Sequence, residues 1–227
     1  MNHCYNQYMR KFITLSFLIS APFWLIATLF DNLALPINLP FSALSFIGPA
    51  LAAVIATPKG QRRKLLLKCR PLARIRLKWW VVALFIMPVA ILLSYTINGT
   101  QGTDMTPLFM VVPFIILYLI AAYCEETGWT SYLSTHLLRS KNTWAVGTII
   151  SCIWAGWHLI PFIQTGNSIS WIIGQTVWTI LFRIGLVWFY ERSGQKGTIP
   201  LWMHATYNTA FSMLPFYGSS YDPEGGL

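Results

Sequence analysis

Two adjacent carboxylates, Glu125 and Glu126, close the apolar run Pro107 to Cys124 in the stretch Tyr123-Cys124-Glu125-Glu126-Thr127-Gly128-Trp129-Thr130. The chain has only seven acidic residues, so two side by side in its most apolar neighbourhood need a reason. A charge near the bilayer centre costs about 2.5–3.5 kcal/mol on insertion scales, and an ionisable residue in a span marks function by default. A carboxylate pair at such a place is suited to general-base work on a water. The plain alternative is that Glu125 opens a water-facing loop that the pair caps or solubilises.

Few other groups inside apolar runs can do chemistry. His158 ends Trp154-Ala155-Gly156-Trp157-His158, and His204 and Asn208 lie in Leu201-Trp202-Met203-His204-Ala205-Thr206-Tyr207-Asn208. The i, i+4 spacing puts His204 and Asn208 on one helix face, and Trp154 and His158 likewise. A lone helical histidine is more often a packing residue than a catalyst. Two histidines, an amide and a carboxylate pair in one membrane chain are each other's most economical partners, since each would otherwise need its own in hydrocarbon. Arg183 stands in the apolar run 169–190 and must find a partner, a cavity or the interface. Snorkelling is the competing explanation, because eight residues to Glu191 span about 12 Å of helix.

These groups need elements to position them, and composition says which kind. Of 227 residues, 55% are hydrophobic and 10% charged, against about 25% charged in soluble domains. The expected fold is an all-α integral membrane protein. Seven spans are predicted, over about 12–30, 40–57, 79–97, 107–126, 143–163, 169–190 and 198–216. The first is read as an uncleaved span rather than a signal peptide, because its uncharged run is too long for an h-region. Residues 58–78 form a basic loop without an acid, carrying Lys59, Arg62, Arg63, Lys64, Lys68, Arg70, Arg74, Arg76 and Lys78. Placing the N-terminus in the cytoplasm puts every one of the 16 basic residues except Arg183 on the inner side. Asp31, Asp104, Asp222 and Glu224 then fall outside, giving an N-in/C-out orientation. The net charge of +9 therefore points to anionic membrane lipids, and nucleic-acid binding is set aside. The four cysteines show neither metal nor disulfide spacing.

Depth sets a further expectation. A fourth helix ending at Glu126 would leave the glutamates and His158 about 20 Å apart in height. They meet if that helix runs on to about residue 138 and the fifth begins outside the bilayer. Tyr132, His136 and Arg139 would then belong to a cytosolic protrusion, with a polar cavity among helices 4–7 in the cytoplasmic half. Three segments follow: 1–106 with helices 1–3, a core over 107–216, and a polar tail 217–227.

Glu125-Glu126-x-x-x-Thr130, Trp154-x-x-x-His158 and His204-x-x-x-Asn208, in that order, resemble the three motifs of the CAAX-protease and bacteriocin-processing family. That family, also called Abi proteins, comprises intramembrane endopeptidases of the type 2 CAAX prenyl endopeptidase kind. Its usual patterns are a Glu-Glu pair followed four residues later by Arg, then Phe-x-x-x-His, then His-x-x-x-Asn. The likeness covers roughly Pro107 to Phe216. Trp154 stands for the usual Phe, and Thr130 for the usual Arg. In the family that Arg holds the second glutamate; Thr130 can donate a hydrogen bond but no charge. Arg183 is expected to take over the role from the sixth span.

The resemblance implies peptide-bond hydrolysis on a membrane-associated, prenylated or hydrophobic substrate. Glu125 would activate a water, with Glu126 orienting it. His204 and Asn208 would stabilise the oxyanion, and His158 would place the water or protonate the leaving amine. Thr130, Trp154 and Arg183 would support them. Metal dependence stays open: no His-Glu-x-x-His helix exists, yet His158, His204 and Glu125 are candidates for a three-ligand zinc site. Two other readings remain: an immunity or binding protein that keeps the fold while Thr130 marks lost activity, and a proton-coupled transporter. A bacterial cytoplasmic membrane fits the short chain. The sequence is silent on the oligomeric state.

Overall fold

The computed structural model describes residues 2–30, 34–35, 39–97 and 106–214. Among the described residues the regular structure is helical, apart from a two-residue antiparallel bridge of β1 (Ala34–Leu35) with β2 (Leu39–Pro40). Helix α1 (Asn2–Leu29) is followed by a 3-10 segment, Phe41–Phe46, that runs into α2 (Ile47–Ala56). A short α3 (Arg62–Lys68) leads to α4 (Leu77–Ile97). A 3-10 turn, Leu108–Met110, opens α5 (Val111–Glu126), which passes into a π-helical stretch, Thr127–Ser134, and then α6 (Thr135–Leu137). Helices α7 (Thr143–Gln164), α8 (Ile169–Arg192) and α9 (Thr198–Met213) complete the described chain.

Length and composition follow the bilayer. Five helices among the described residues are long and apolar enough to cross, at Gln7–Leu29, Leu77–Ser94, Leu108–Leu137, Thr143–Gln164 and Ile169–Arg192. The pair Phe41–Ala56 and Lys59–Lys68, bent by 119°, makes a sixth if counted as one span. The seven-span expectation thus meets five or six. The shortfall lies in α9, whose 16 residues reach about 24 Å against a core of about 30 Å, and in the bent pair. Large apolar side chains such as Leu18, Leu25, Phe85, Ile120, Ile173 and Leu181 stay exposed on these helices, as lipid-facing residues must. The protein is an integral, multi-pass membrane protein. Asp31, Asp104, Asp222 and Glu224, together with the tail 217–227, lie outside the described residues, as do residues 215 and 216 of the last predicted span.

Helix ends have local causes. Asn142 accepts from the amide of Ala145 at 2.9 Å to start α7, and Ser168 accepts from that of Trp171 at 3.1 Å to start α8. Helix α8 ends where Gly194 (φ 75°) and Gln195 (φ 57°) turn left-handed, which returns their amides to the carbonyls of Glu191 and Tyr190.

The long fourth span expected from depth is present, continuous from Leu108 to Leu137. Its far end is not a bare protrusion, however. Tyr132 is 2% exposed and packs on Phe12, while His136 stacks on Tyr8. The reason is α1, which begins at Asn2 rather than near residue 12 and covers that end. Lys68 completes the cover, donating to Thr135 Oγ1 at 2.7 Å. Gly128 lets α2 approach: a Cβ there would stand 2.6 Å from the Pro49 carbonyl oxygen. The tightest helix pairings are α7 with α8, and α9 with α4 and α5. They bring the polar residues of α5, α7, α8 and α9 to one place.

Candidate active site

Helix α5 supplies Glu125 and Glu126 in its last turn, and both are buried, 6% and 0% exposed. Glu126 is held from three helices. Arg183 of α8 donates from Nη1 to Oε2 at 2.8 Å, with both side chains wholly buried. His204 of α9 lies with Nδ1 2.9 Å from Oε1. Thr130, one turn on along the same helix, donates its hydroxyl to Oε2. Three donors around one carboxylate fix it in direction, since charge-assisted hydrogen bonds are the strong ones. Arg183 does not snorkel. Its guanidinium reaches the second glutamate of the pair from α8.

Glu125 has a different partner. The indole Nε1 of Trp154 donates to its Oε2 at 2.8 Å. The same indole carries the Arg183 guanidinium, whose carbon is 3.9 Å from the ring centre, a cation–π contact. Trp154 therefore joins the two glutamates' supports, which phenylalanine could not do. The sequence marks Trp154 as a supporting aromatic in place of Phe, without the bond that its indole makes. The N–H was the available signal.

The histidines are oriented by their Nδ1 atoms. His158 places Nδ1 2.9 Å from the Trp154 carbonyl oxygen. A carbonyl only accepts, so Nδ1 carries the proton and Nε2 keeps its lone pair. For His204, Nδ1 donates to the Glu126 carboxylate, which again leaves Nε2 for a ligand. His204 sits edge-on to Trp154 and Phe182, with centroids 5.7 and 5.8 Å away. Those contacts and Glu126 fix its ring.

The predicted residues are thus gathered in part. Glu125, Glu126, Trp154, Arg183, His204 and Thr130 form one connected cluster. His158 joins it through Trp154, by its hydrogen bond and by ring contact at 4.3 Å, rather than by touching Glu125. Asn208 lies one turn beyond His204 and is half-buried, with no side-chain hydrogen bond to the described residues. The zinc candidates do not fit: no group of three or more His, Cys, Asp or Glu is close enough to share an ion among the described residues. Two buried donors of Arg183, Nε and Nη2, also lack an acceptor among the described residues.

A buried acid pair, two histidines and a helix-borne guanidinium define the class of site: a carboxylate–histidine cluster buried inside a helical membrane protein. Comparison with known proteins agrees with it. Residues 106–210 match the family model "Type II CAAX prenyl endopeptidase Rce1-like". The CAAX prenyl protease 2 of Methanococcus maripaludis is 29% identical over 114 residues, covering 46% of this chain and 42% of that protein. The second half of the chain thus resembles the CAAX-protease and bacteriocin-processing family, and the matched stretch spans under half of its curated relative.

Proposed function

We propose that the protein is an intramembrane endopeptidase that hydrolyses a peptide bond in a membrane-associated substrate with a prenylated or hydrophobic tail. The observation that carries this is the buried ion pair of Glu126 with Arg183. It supplies the charge that Thr130 withholds, and so favours a working site over a degenerate one retained for binding or immunity.

Charge balance suggests how the site works. With Glu126 and Arg183 both ionised, a neutral cluster leaves one proton for Glu125 and His204 to share. When that proton is on His204, Glu125 is the free base. Glu125 takes a proton from a water as the water oxygen attacks the scissile carbonyl carbon. The carbonyl oxygen becomes an oxyanion, stabilised by the Nε2–H of protonated His204 and by the Asn208 amide. As the tetrahedral intermediate collapses, the C–N bond breaks. The leaving amine receives the proton from Glu125, directly or through Nε2 of His158. Water is consumed, the new carboxyl group gives its proton to the amine, and a carboxylate and an ammonium are released. Glu126 never leaves its ion pair, and its task is to orient His204.

The test is hydrolysis of a farnesylated CAAX peptide and of an unprenylated peptide with a hydrophobic tail, by the full chain in detergent micelles, read by mass spectrometry. Glu125→Gln removes the base and should lower the rate by about 10²–10⁴-fold. Equal rates for the two proteins, or no cleavage of any tailed peptide by the parent, would overturn the proposal.

A further inference from the structure

We propose that the pocket between the α3–α4 linker and the α8–α9 turn is a binding site for a phosphate-bearing anion, with the phosphodiester headgroup of an anionic lipid as its occupant. The pocket has a volume of about 610 Å³, within the range of small-ligand sites. Arg74, Arg76 and Lys78 line one wall, Arg192 and Lys196 the other, with Trp79 beside them. Among the described residues no acid lines it. None of its residues belongs to the cluster around Glu126, so the inference stands apart from the endopeptidase reading.

Its walls are built rather than accidental. The Gly197 amide donates to the Lys68 carbonyl at 3.2 Å, and the Thr198 hydroxyl to that of Arg70 at 2.8 Å. These bonds stitch the turn to the linker and hold the two basic walls face to face. Nor are the cations neutralised from within. Among the described residues, the carboxylate paired with a pocket cation is Glu191, 3.7 Å from Arg192, with the two side chains 41% and 62% exposed, a geometry that contributes little. Arg74, Arg76 and Lys196 make no ion pair among the described residues. Five like charges around one opening repel until an anion enters.

Guanidinium groups present paired donors that match phosphate oxygens. Aromatic rings say where that phosphate sits. Lys78 Nζ lies 5.1 Å from the Trp79 ring centre and the Arg192 guanidinium 5.6 Å from that of Trp188. Trp80 and Trp202 pack against each other at the same end, and Trp202 donates to the Pro71 carbonyl at 2.8 Å. Tryptophan gathers at headgroup level, and basic pockets between spans take lipid headgroups. The bound headgroup would clamp the turn that starts α9, the helix bearing His204.

Thermal unfolding of the full chain in detergent tests this, with dihexanoyl-phosphatidylglycerol, dihexanoyl-phosphatidylcholine or inorganic phosphate added. Phosphatidylglycerol near saturation should raise the midpoint by about 5 °C, and phosphatidylcholine should not. The triple variant Arg74→Gln, Arg76→Gln, Lys196→Gln should lose that rise. The equally discharged Lys59→Gln, Arg63→Gln, Lys64→Gln should keep it. A rise with inorganic phosphate alone, lost in the pocket triple, supports the phosphate site and assigns its source to solution. Equal shifts with both lipids, a shift surviving in the pocket triple, or equal loss in both triples would overturn the proposal. The side chains exchanged in both triples are exposed, so each variant's unliganded midpoint reports directly whether it is folded.

Discussion

Exchanging Arg183 for glutamine takes the charge from a pair in which both side chains are wholly buried and 2.8 Å apart. Breaking such a pair from one side costs about 3–5 kcal/mol, because the remaining charge stays buried without compensation. Glu126 keeps His204 and Thr130 as donors, so the lower end of that range applies. If the loss falls on the orientation of His204, about 3 kcal/mol corresponds to roughly a hundredfold in rate. Cleavage of a farnesylated peptide, measured as kcat/KM beside thermal unfolding in the same detergent, separates this from global destabilisation. Arg183→Gln should lose about a hundredfold in kcat/KM while remaining folded at the assay temperature. Adding Thr130→Arg returns a guanidinium one turn from Glu126 and should recover part of the loss. A folded Arg183→Gln protein within threefold of the parent would refute the argument and leave Arg183 a packing residue.

Trp154→Phe keeps the aromatic surface but deletes the donor to Glu125. A hydrogen bond to a charged group contributes about 1.5–3 kcal/mol, so kcat should fall at least tenfold with little change in KM. Gly128→Ala puts a Cβ 2.6 Å from a backbone oxygen of Pro49. Overpacking of that kind costs about 1–3 kcal/mol, to be read as a lowered unfolding midpoint. Burial, Arg139 and Lys64 hold the Lys68 ammonium down to about 8 from its ordinary value of 10.5. Between those two values the unfolded chain binds the extra proton, so stability rises with pH across that window, and the penalty is fully present below about 8. Lys68→Met should flatten the rise, as measured by unfolding midpoints across the same window.

The sequence yields the helices more readily than the contacts between them. Helix α7 was expected over 143–163 and runs Thr143–Gln164, because Asn142 is a strong cap ahead of an unbroken apolar run. The start of α1 was missed because the residues before Phe12 are polar and basic, and span prediction stops where apolarity does. The ion pair of Glu126 with Arg183 was legible in part: a guanidinium inside a span needs a partner, a cavity or the interface, and the family motif pointed to the second glutamate. The link from Glu125 to Trp154 was not, since a motif written as aromatic-x-x-x-His hides an indole N–H. The π-helical stretch at Thr127–Ser134 has no periodic signature that a reader could use. It follows from tertiary packing against α2 across Gly128. His158 was expected beside Glu125, and it stands behind Trp154 because its Nδ1 is taken by the carbonyl one turn back.

Moving the arginine from position 130 to α8 changes what kind of object the ion pair is. A cation four residues along the same helix travels with its glutamate, and no motion of the bundle can part them. A cation on a neighbouring helix is a tether, intact only while α5 and α8 keep their spacing. On the proposed reading, chemistry at Glu125 would thereby be tied to the lateral fit of the bundle. A thicker bilayer, a wedge-shaped lipid or a substrate prying the helices apart would act on the rate through the separation of two helices, with no need to touch a catalytic atom.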